Sequence, residues 1–174
     1  MKNIKTIIIL FLFITIQQKL FAQLPTAGSY ITNNTMGAFH GTWQWVNGID
    51  TVKIFLATKK IFYPINGGYY MDDLVGWHIY KNGNTIIESS YNSINNVDNR
   101  TILGDNFNSL NVAECFFKDI TKNKDGELTL SLNAAQNQLT WRLTEHKGMR
   151  VYGNGHTAPP SGLTLLRNMV LTKL

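Results

Sequence analysis

The chain has 174 residues, with 16 Lys and Arg against 11 Asp and Glu, which gives a formal net charge of +5 at pH 7. That length suggests a single domain with room for a sizeable core. Three of the lysines lie in the first 22 residues, so a chain that begins at residue 23 has 13 basic and 11 acidic residues, a net charge of +2. A charge of +2 gives no reason to expect nucleic-acid binding.

Residues 1–22 have the pattern of a secretory signal peptide. Lys2 and Lys5 precede an apolar run at 7–16, and Leu-Phe-Ala at 20–22 ends the segment, so we expect cleavage after Ala22. The apolar run is shorter than the roughly 20 residues that a membrane-spanning helix needs. We therefore expect an exported protein, periplasmic or extracellular, with no transmembrane segment once the signal is removed.

The exported part divides into a lead-in and one domain. Residues 23–38 are small and polar and are expected to lead into a single β domain at 39–174. Cys115 is the only cysteine and lies in an apolar run, where a free cysteine is usually a small buried hydrophobe. It has no partner for an internal disulfide, so we expect stability to come from the core.

Residues 41–58 predict the β-hairpin that opens the domain. Asn47-Gly48 suits a type I′ turn, since both residues tolerate positive φ. A two-residue loop pairs Trp45 with Asp50, and a four-residue loop at 47–50 shifts the register but keeps the same faces. The face with more apolar area is expected to point into the core. Its members are Trp43, Trp45, Val52, Ile54 and Leu56.

Further short strands follow at close spacing. They are predicted at 61–65, 75–81, 85–90, 102–107, 114–120, 128–132, 139–143 and 169–174. The strand at 102–107 interrupts an Asn-rich loop over 91–111, and no amphipathic helix is predicted after residue 22. We expect an all-β antiparallel meander of about eight to ten strands, because tight turns join most of them. A closed barrel removes exposed sheet edges and is favoured over a two-sheet β-sandwich.

No local pattern of a catalytic or metal site stands out. The histidines, His40, His78, His146 and His156, do not have the spacing of H-E-x-x-H, and G-x-S-x-G and Walker patterns are missing. Each histidine is expected at the surface or in packing. We predict no metal, no cofactor and no catalytic residue, which favours a binding protein over an enzyme. A hydrolase is a third hypothesis, and it requires a cleft where a histidine and a carboxylate converge.

Gly41-Thr42-Trp43, at the start of the first strand, resembles the G-x-W opening of the lipocalin and fatty-acid-binding superfamily. The resemblance implies a lipocalin-like β-barrel in which the tryptophan closes one end, often under an arginine from the last strand. Arg142, Arg150 and Arg167 are the candidates for that arginine.

Two longer stretches resemble an uncharacterised secreted family of bacterial proteins. They are F-H-G-T-W-Q-W-V-N-G-I-D-T-V-K-I at 39–54 and P-P-S-G-L-T-L-L-R-N-M-V-L-T-K-L at 159–174. The likeness covers most of 39–174 and includes the opening G-T-W-x-W-x-N-G-x-D-T. This resemblance implies no particular activity.

The leading functional hypothesis is a small apolar or amphipathic ligand inside the barrel. Small barrels hold one such ligand, which needs a pocket of at least about 300 Å³. The residues expected to contact it are Trp45, Trp77, Tyr80, Phe117 and Trp141.

The alternative hypothesis is a cell-envelope interaction module that binds a protein or a glycan through surface loops. The Asn-rich loop would form part of that surface, and aromatic residues such as Tyr69, Tyr70 and Tyr91 would be exposed on it.

Overall fold

A computed structural model of the protein describes residues 25–94, 96–146 and 160–174, without the side chains of 105–109. The predicted signal peptide at 1–22 and its cleavage site lie outside the described residues. The structure begins inside the predicted lead-in.

Ten strands in the described ranges form one sheet. They are β1 (Tyr30–Ile31), β2 (Gly41–Asn47), β3 (Asp50–Tyr63), β4 (Tyr69–Asn82), β5 (Thr85–Ser89), β6 (Ile102–Ser109), β7 (Val112–Asp119), β8 (Lys124–Leu132), β9 (Gln138–Glu145) and β10 (Asn168–Lys173). Three short 3-10 helices accompany them: η1 (Asn34–Phe39), η2 (Tyr91–Ser93) and η3 (Val97–Asn99).

Eight of the strands close into an antiparallel β-barrel. Their order is β4-β3-β2-β10-β9-β8-β7-β6, and β6 returns to pair with β4. The other two strands, β1 and β5, attach to β4 on the edge that β6 shares. The structure thus confirms the predicted all-β barrel, and the alternative β-sandwich is wrong.

The first hairpin has the predicted faces and the register of the longer loop. Trp45 pairs with Val52, and Trp43 pairs with Ile54. The turn itself is shifted by one residue: Asn47 still pairs, and Gly48 takes the first central position with φ of 60°. Positive φ at that position alone is the pattern of a type II′ turn, so the predicted type I′ turn is wrong.

The second hairpin repeats this shift and is longer than predicted. Asn82 pairs with Thr85, and Gly83, with φ of 57°, takes the first turn position. The predicted separate strand at 61–65 is largely the end of β3, which pairs with β4 without a break from Asp50 to Tyr63. β3 and β4 therefore form a long two-stranded ribbon that makes up one wall of the barrel.

Inward-facing apolar side chains fill the middle of the barrel. Those with no exposed surface include Val52, Ile54, Leu56, Leu130, Leu139, Trp141 and Leu171. A void large enough for a water molecule would leave accessible surface on the side chains around it. The middle is therefore packed solid, as protein interiors usually are.

One end of the barrel is closed by η1 and Trp43. Phe39 and Trp43 are fully buried, and Trp43 Nε1 donates a hydrogen bond to the Phe39 carbonyl at 2.9 Å. The Lys173 ammonium of β10 lies 5.1 Å from the Trp43 ring centroid, a cation–π distance. The last strand therefore supplies a lysine over this tryptophan, a residue that the arginine candidates had not included.

The other end is held by a buried carboxylate. Asp119, at the end of β7, accepts hydrogen bonds from the backbone N–H and the hydroxyl of Thr164 and from the Lys122 N–H. Leu163 and Leu165, on either side of Thr164, pack against the core. The segment before β10 is thereby fixed across this end.

Candidate functional site

The predicted ligand-contact residues divide between two faces of the barrel wall. Trp45, Tyr80, Phe117 and Trp141 face inward, where they belong to the core or pack against it. Trp77 faces outward, because it pairs with Phe55 between the inward rows of β3 and β4. The interior position predicted for Trp77 is wrong, since strand alternation cannot put Trp77 and Tyr80 on one face of a regular strand.

Among these residues, only Trp45 and Tyr80 keep accessible surface. Phe117 and Trp141 are buried in an edge-to-face contact with centroids 5.5 Å apart. Trp45 and Tyr80 are half-buried, and the Tyr80 hydroxyl donates to Asp50 at 3.1 Å. Burial, followed by this hydrogen bond, raises the pKa of Tyr80. Ligand contact by these inner residues remains a prediction.

Along one edge of β4, the pairing partner changes from β6 to β5. β6 pairs with Val75 and Gly76, and β5 pairs only from Ile79 onward. Between them lies His78, which is fully buried. Ser90, just after β5, and Thr101, just before β6, fill the gap from either side.

The side chains in this gap form one hydrogen-bonded chain. His78 Nδ1 lies 2.8 Å from Thr101 Oγ1, and Thr101 Oγ1 lies 3.0 Å from Ser90 Oγ. On its other side, His78 Nε2 lies 2.8 Å from Glu88 Oε1. Ser90 Oγ in turn accepts from the His78 backbone N–H at 2.9 Å. Thr101 and Glu88 thus bond to the two ring nitrogens of His78, and Ser90 joins the chain through Thr101 and the His78 backbone N–H.

Glu88 reaches this cluster because β5 carries a bulge. Lys81 pairs with Ile86 but Tyr80 pairs with Glu88, so one extra residue turns the carboxylate inward. Without the bulge, regular alternation would place Glu88 on the outward face, with Trp77. Burial alone would raise the pKa of Glu88, but hydrogen bonds from His78 and Thr121 outweigh it and lower the pKa to about 2. The carboxylate is therefore ionised at neutral pH.

The ionised carboxylate requires a proton on His78 Nε2. Glu88 only accepts, so His78 Nε2 carries the proton that bonds it. In the neutral ring, Nδ1 is then an acceptor for the Thr101 hydroxyl, and Thr101 accepts from Ser90. The backbone N–H of Thr121 completes the carboxylate's partners at 3.1 Å.

Two cavities lie on the outer surface over this gap. Their volumes are about 370 and 250 Å³, and both are lined by Asp98, Arg100, Thr101 and Lys118. The larger one adds apolar side chains such as Leu103 and Phe116, and the smaller adds Ser90, Ser93 and Asn99. Thr101 therefore lines both cavities, of which the larger has the more apolar side chains in its lining.

A larger cavity, about 460 Å³, lies on the other side of η2. Its lining is Gln44, Thr51, Lys53, Ile79, Lys81 and Tyr91. These side chains project outward from β2, β3 and β4, and η2 supplies the tyrosine. We call this the Lys53–Lys81 cavity. It has two basic groups and no acidic one in its lining.

The aromatic residues named for a surface interaction differ in exposure. Tyr70 is exposed, whereas Tyr69 stacks on Tyr63 and is half-buried, as is Tyr91. Near Tyr70 the exposed rings of Tyr30 and Phe62 extend the surface, and the Lys60 ammonium lies 4.3 Å from the Tyr70 centroid. The interaction hypothesis stays a prediction.

Sequence analysis missed His78, Glu88, Ser90 and Thr101 as a group. His78 had been expected at the surface or in packing, and the residues are brought together only by the change of partner along β4. One local signal was available: a histidine and a glutamate each interrupt an apolar strand, at Trp77-His78-Ile79 and Ile86-Ile87-Glu88. Such residues are buried only when they are paired.

The described residues contain neither a candidate metal site nor a candidate membrane-spanning helix. No cluster of three or more His, Cys, Asp or Glu in 25–94, 96–146 and 160–174 has the arrangement of a metal site. In the same ranges, no helix has the length and apolar character needed to cross a membrane.

Comparison with known proteins identifies a family but no characterised relative. Neither the curated proteins nor the solved structures contain a match to this chain. One family model, described as a family of unknown function (DUF6705), matches residues 1–174. That range includes the G-T-W-x-W-x-N-G-x-D-T opening and the closing strand. The chain therefore belongs to DUF6705, a family of unknown function.

Proposed function

We propose that this protein binds a small amphipathic anion on the outside of its barrel, in the Lys53–Lys81 cavity. The observation that carries the proposal is a cavity of about 460 Å³ that contains two lysines and no acidic group. Its volume lies within the usual range for small-molecule sites, about 300 to 1,000 Å³.

The two lysines support an anionic ligand. Thr51 pairs with Lys81 and Lys53 pairs with Ile79, so the lysines are diagonal neighbours on one face of the sheet. Diagonal residues lie about 7 to 8 Å apart. Neither ammonium group forms an ion pair with any residue in the described ranges. Two like charges held this close are stabilised by an anion between them.

The remaining lining supports a ligand with an apolar part. Ile79 and the Tyr91 ring provide apolar contact, and Gln44 and Thr51 provide hydrogen-bonding groups. This mixture of apolar wall and a few polar groups is typical of small-molecule sites. A carboxylate or phosphate on a short alkyl or ring system matches it.

The outer site agrees better with the packing than an interior site does. Many side chains in the middle of the barrel have no accessible surface, which favours the outer site over an interior one. Binding against the half-buried Trp45 and Tyr80 is the competing location. Substitution of Lys53 or Lys81 should weaken binding at the outer site but not binding beside Trp45 and Tyr80.

Isothermal titration calorimetry with sodium decanoate, below its micelle concentration, tests the proposal. Decanoate provides one carboxylate and a flexible alkyl chain. Lys53→Gln and Lys81→Gln are each expected to weaken decanoate binding about tenfold, since one lost charged contact of ~1.4 kcal/mol is a factor of ten. Octyl glucoside, a neutral amphiphile, is expected to bind weakly and equally to all forms.

Lys59→Gln is the matched control, because Lys59 is exposed on the same strand and the same face, six residues further along. Its decanoate affinity should equal that of the wild type. No decanoate binding, or an equal loss in all three lysine variants, would contradict the proposal.

A further inference from the structure

We propose that Thr101 is the nucleophile of an ester-hydrolysing site, with His78 as its general base and Glu88 as the residue that positions the histidine. The proposal rests on the chain of contacts in the gap beside β4 and on the two cavities that meet at Thr101. It is independent of the Lys53–Lys81 cavity, which lies across η2.

The hydroxyl, imidazole and carboxylate have the distances that acyl transfer requires. Thr101 Oγ1 and His78 Nδ1 are 2.8 Å apart, and His78 Nε2 and Glu88 Oε1 are also 2.8 Å apart. A nucleophile bonded to a base, and a base bonded to an orienting group, define this type of site regardless of fold. Glu88 holds the ring in the tautomer that leaves Nδ1 free to take a proton.

The surroundings keep the base dry while the nucleophile borders a cavity. His78 is fully buried and its ring lies 5.2 Å from that of Phe117. Thr101 and Ser90 are 4% and 7% exposed, and both line the smaller cavity. A purely structural polar cluster would not need to lie beneath a cavity.

The cavities indicate the class of ester. On one side of Thr101 the lining includes Ile102, Leu103 and Phe116, which suits a short apolar acyl chain. On the other side it includes Ser93 and Asn99, which suits a polar alcohol. Arg100 and Lys118 line both cavities beside Asp98, and we expect them to donate hydrogen bonds to the oxyanion.

In the first half of the reaction, Thr101 Oγ1 bonds to the ester carbonyl carbon while its proton passes to His78 Nδ1. The carbonyl π electrons move onto oxygen, and the resulting imidazolium is stabilised by Glu88. When the oxyanion collapses, the carbon–alkoxy bond breaks. The departing alcohol takes the proton from His78 and leaves an acyl group on Thr101.

In the second half, a water molecule attacks the acyl carbon and gives its proton to His78. Collapse breaks the bond to Thr101 Oγ1, which regains the proton as the carboxylic acid leaves. The sum is an ester and water converted into an acid and an alcohol. No oxidant, reductant or further reactant is needed.

Two probes of the purified protein test the proposal. p-Nitrophenyl butyrate should give a burst of p-nitrophenolate followed by slow turnover, the kinetic sign of an acylated intermediate. A fluorophosphonate should add covalently, and peptide mass spectrometry should place both adducts on Thr101. The half-buried Thr140, which pairs with Ser131 and Val170 on the far wall, provides the control Thr140→Val.

Substitutions separate catalysis from structure. Thr101→Val should abolish both adducts and lower turnover more than 100-fold, whereas Thr101→Ser should retain both. Glu88→Gln should lower kcat about 100-fold with KM unchanged, because positioning of the base matters in the transition state only. Circular dichroism of each variant shows whether it folds.

The absence of both adducts and of turnover in the folded wild-type protein would overturn the proposal. An adduct on Ser90 or Lys118 instead of Thr101 would also overturn it. Equal kcat in the wild type and a folded Glu88→Gln variant would contradict the role given to Glu88. None of these outcomes depends on whether decanoate binds beside Lys53.

Discussion

At the scale of single residues, the contacts of Glu88 account for an ionised group in an apolar wall. A buried carboxylate is costly unless it is paired and hydrogen-bonded. Glu88 satisfies this condition through His78 and through the backbone N–H groups of Ile120 and Thr121, at 3.2 and 3.1 Å. Those bonds join β5 to the β7–β8 turn, so one side chain links two parts of the barrel.

The lowered pKa of Glu88 predicts a loss of stability in acid. Above pH 4.5, the ordinary value of this carboxyl, both folded and unfolded chains are ionised, and the stabilisation is complete. As the pH falls from 4.5 toward the folded-state pKa of about 2, the unfolded chain takes up the proton first, so the free energy of unfolding decreases. Urea unfolding at several pH values should show this decrease in the wild type.

Glu88→Gln should be less stable at pH 7, by about 3 kcal/mol, and should lose this part of the pH dependence. Glu114→Gln is the control, since Glu114 is exposed on β7 and should leave the profile unchanged. If the free energy of unfolding changed with pH in the same way in the wild type and in Glu88→Gln, the Glu88 carboxylate would not be the group that causes the change.

At the scale of strands, closure of the barrel depends on a short contact between β4 and β6. Only Val75 and Gly76 pair there, with Leu103 and Ile102. Gly76 is buried and faces inward beside Leu56, so the two strands approach each other where a side chain is missing. A Cβ on Gly76 would lie 2.7 Å from Leu56 Cδ2 and 3.1 Å from Ile102 Cβ.

Gly76→Ala is therefore expected to destabilise the protein by about 1 to 3 kcal/mol, the usual effect of overpacking a core. Thermal unfolding should show a lower Tm. Gly37→Ala is the control, because a Cβ at this exposed position meets nothing within 4 Å. If Gly76→Ala and Gly37→Ala had the same Tm, the close approach of β4 and β6 at Gly76 would not limit the stability of the protein.

The strands also show how far the sequence predicts this fold. Alternation was enough to assign the inward face of the first hairpin, where Trp43, Val52 and Ile54 are fully buried. The Asn47-Gly48 turn was placed one residue too early, because a glycine suits the second central position of a type I′ turn and also the first of a type II′ turn. The position of Glu88 depends on a bulge, which periodicity does not show. Alternation does separate Trp77 from Tyr80, so an interior position for both did not follow from the pattern.

At the scale of the whole molecule, the barrel is a filled scaffold whose cavities lie on its outer wall. Phe39 and Trp43 close one end, Asp119 and Thr164 secure the other, and apolar side chains occupy the middle. The three outer cavities described above surround η2 and β4, where the wall is interrupted. Sequence could predict a barrel but not its filling, because side-chain volume and barrel radius are set only when all eight strands are in place.

The central claim is that small ligands bind to the outside of this barrel. Its most direct test is a ¹⁵N NMR titration with decanoate that follows both the backbone amides and the tryptophan indole N–H signals. We predict shifts at the amides of Lys53, Ile79 and Lys81, with the indole signals of Trp45 and Trp141 unchanged. Shifts at those two indoles, without change at the lysines, would place the ligand inside the barrel and contradict the account.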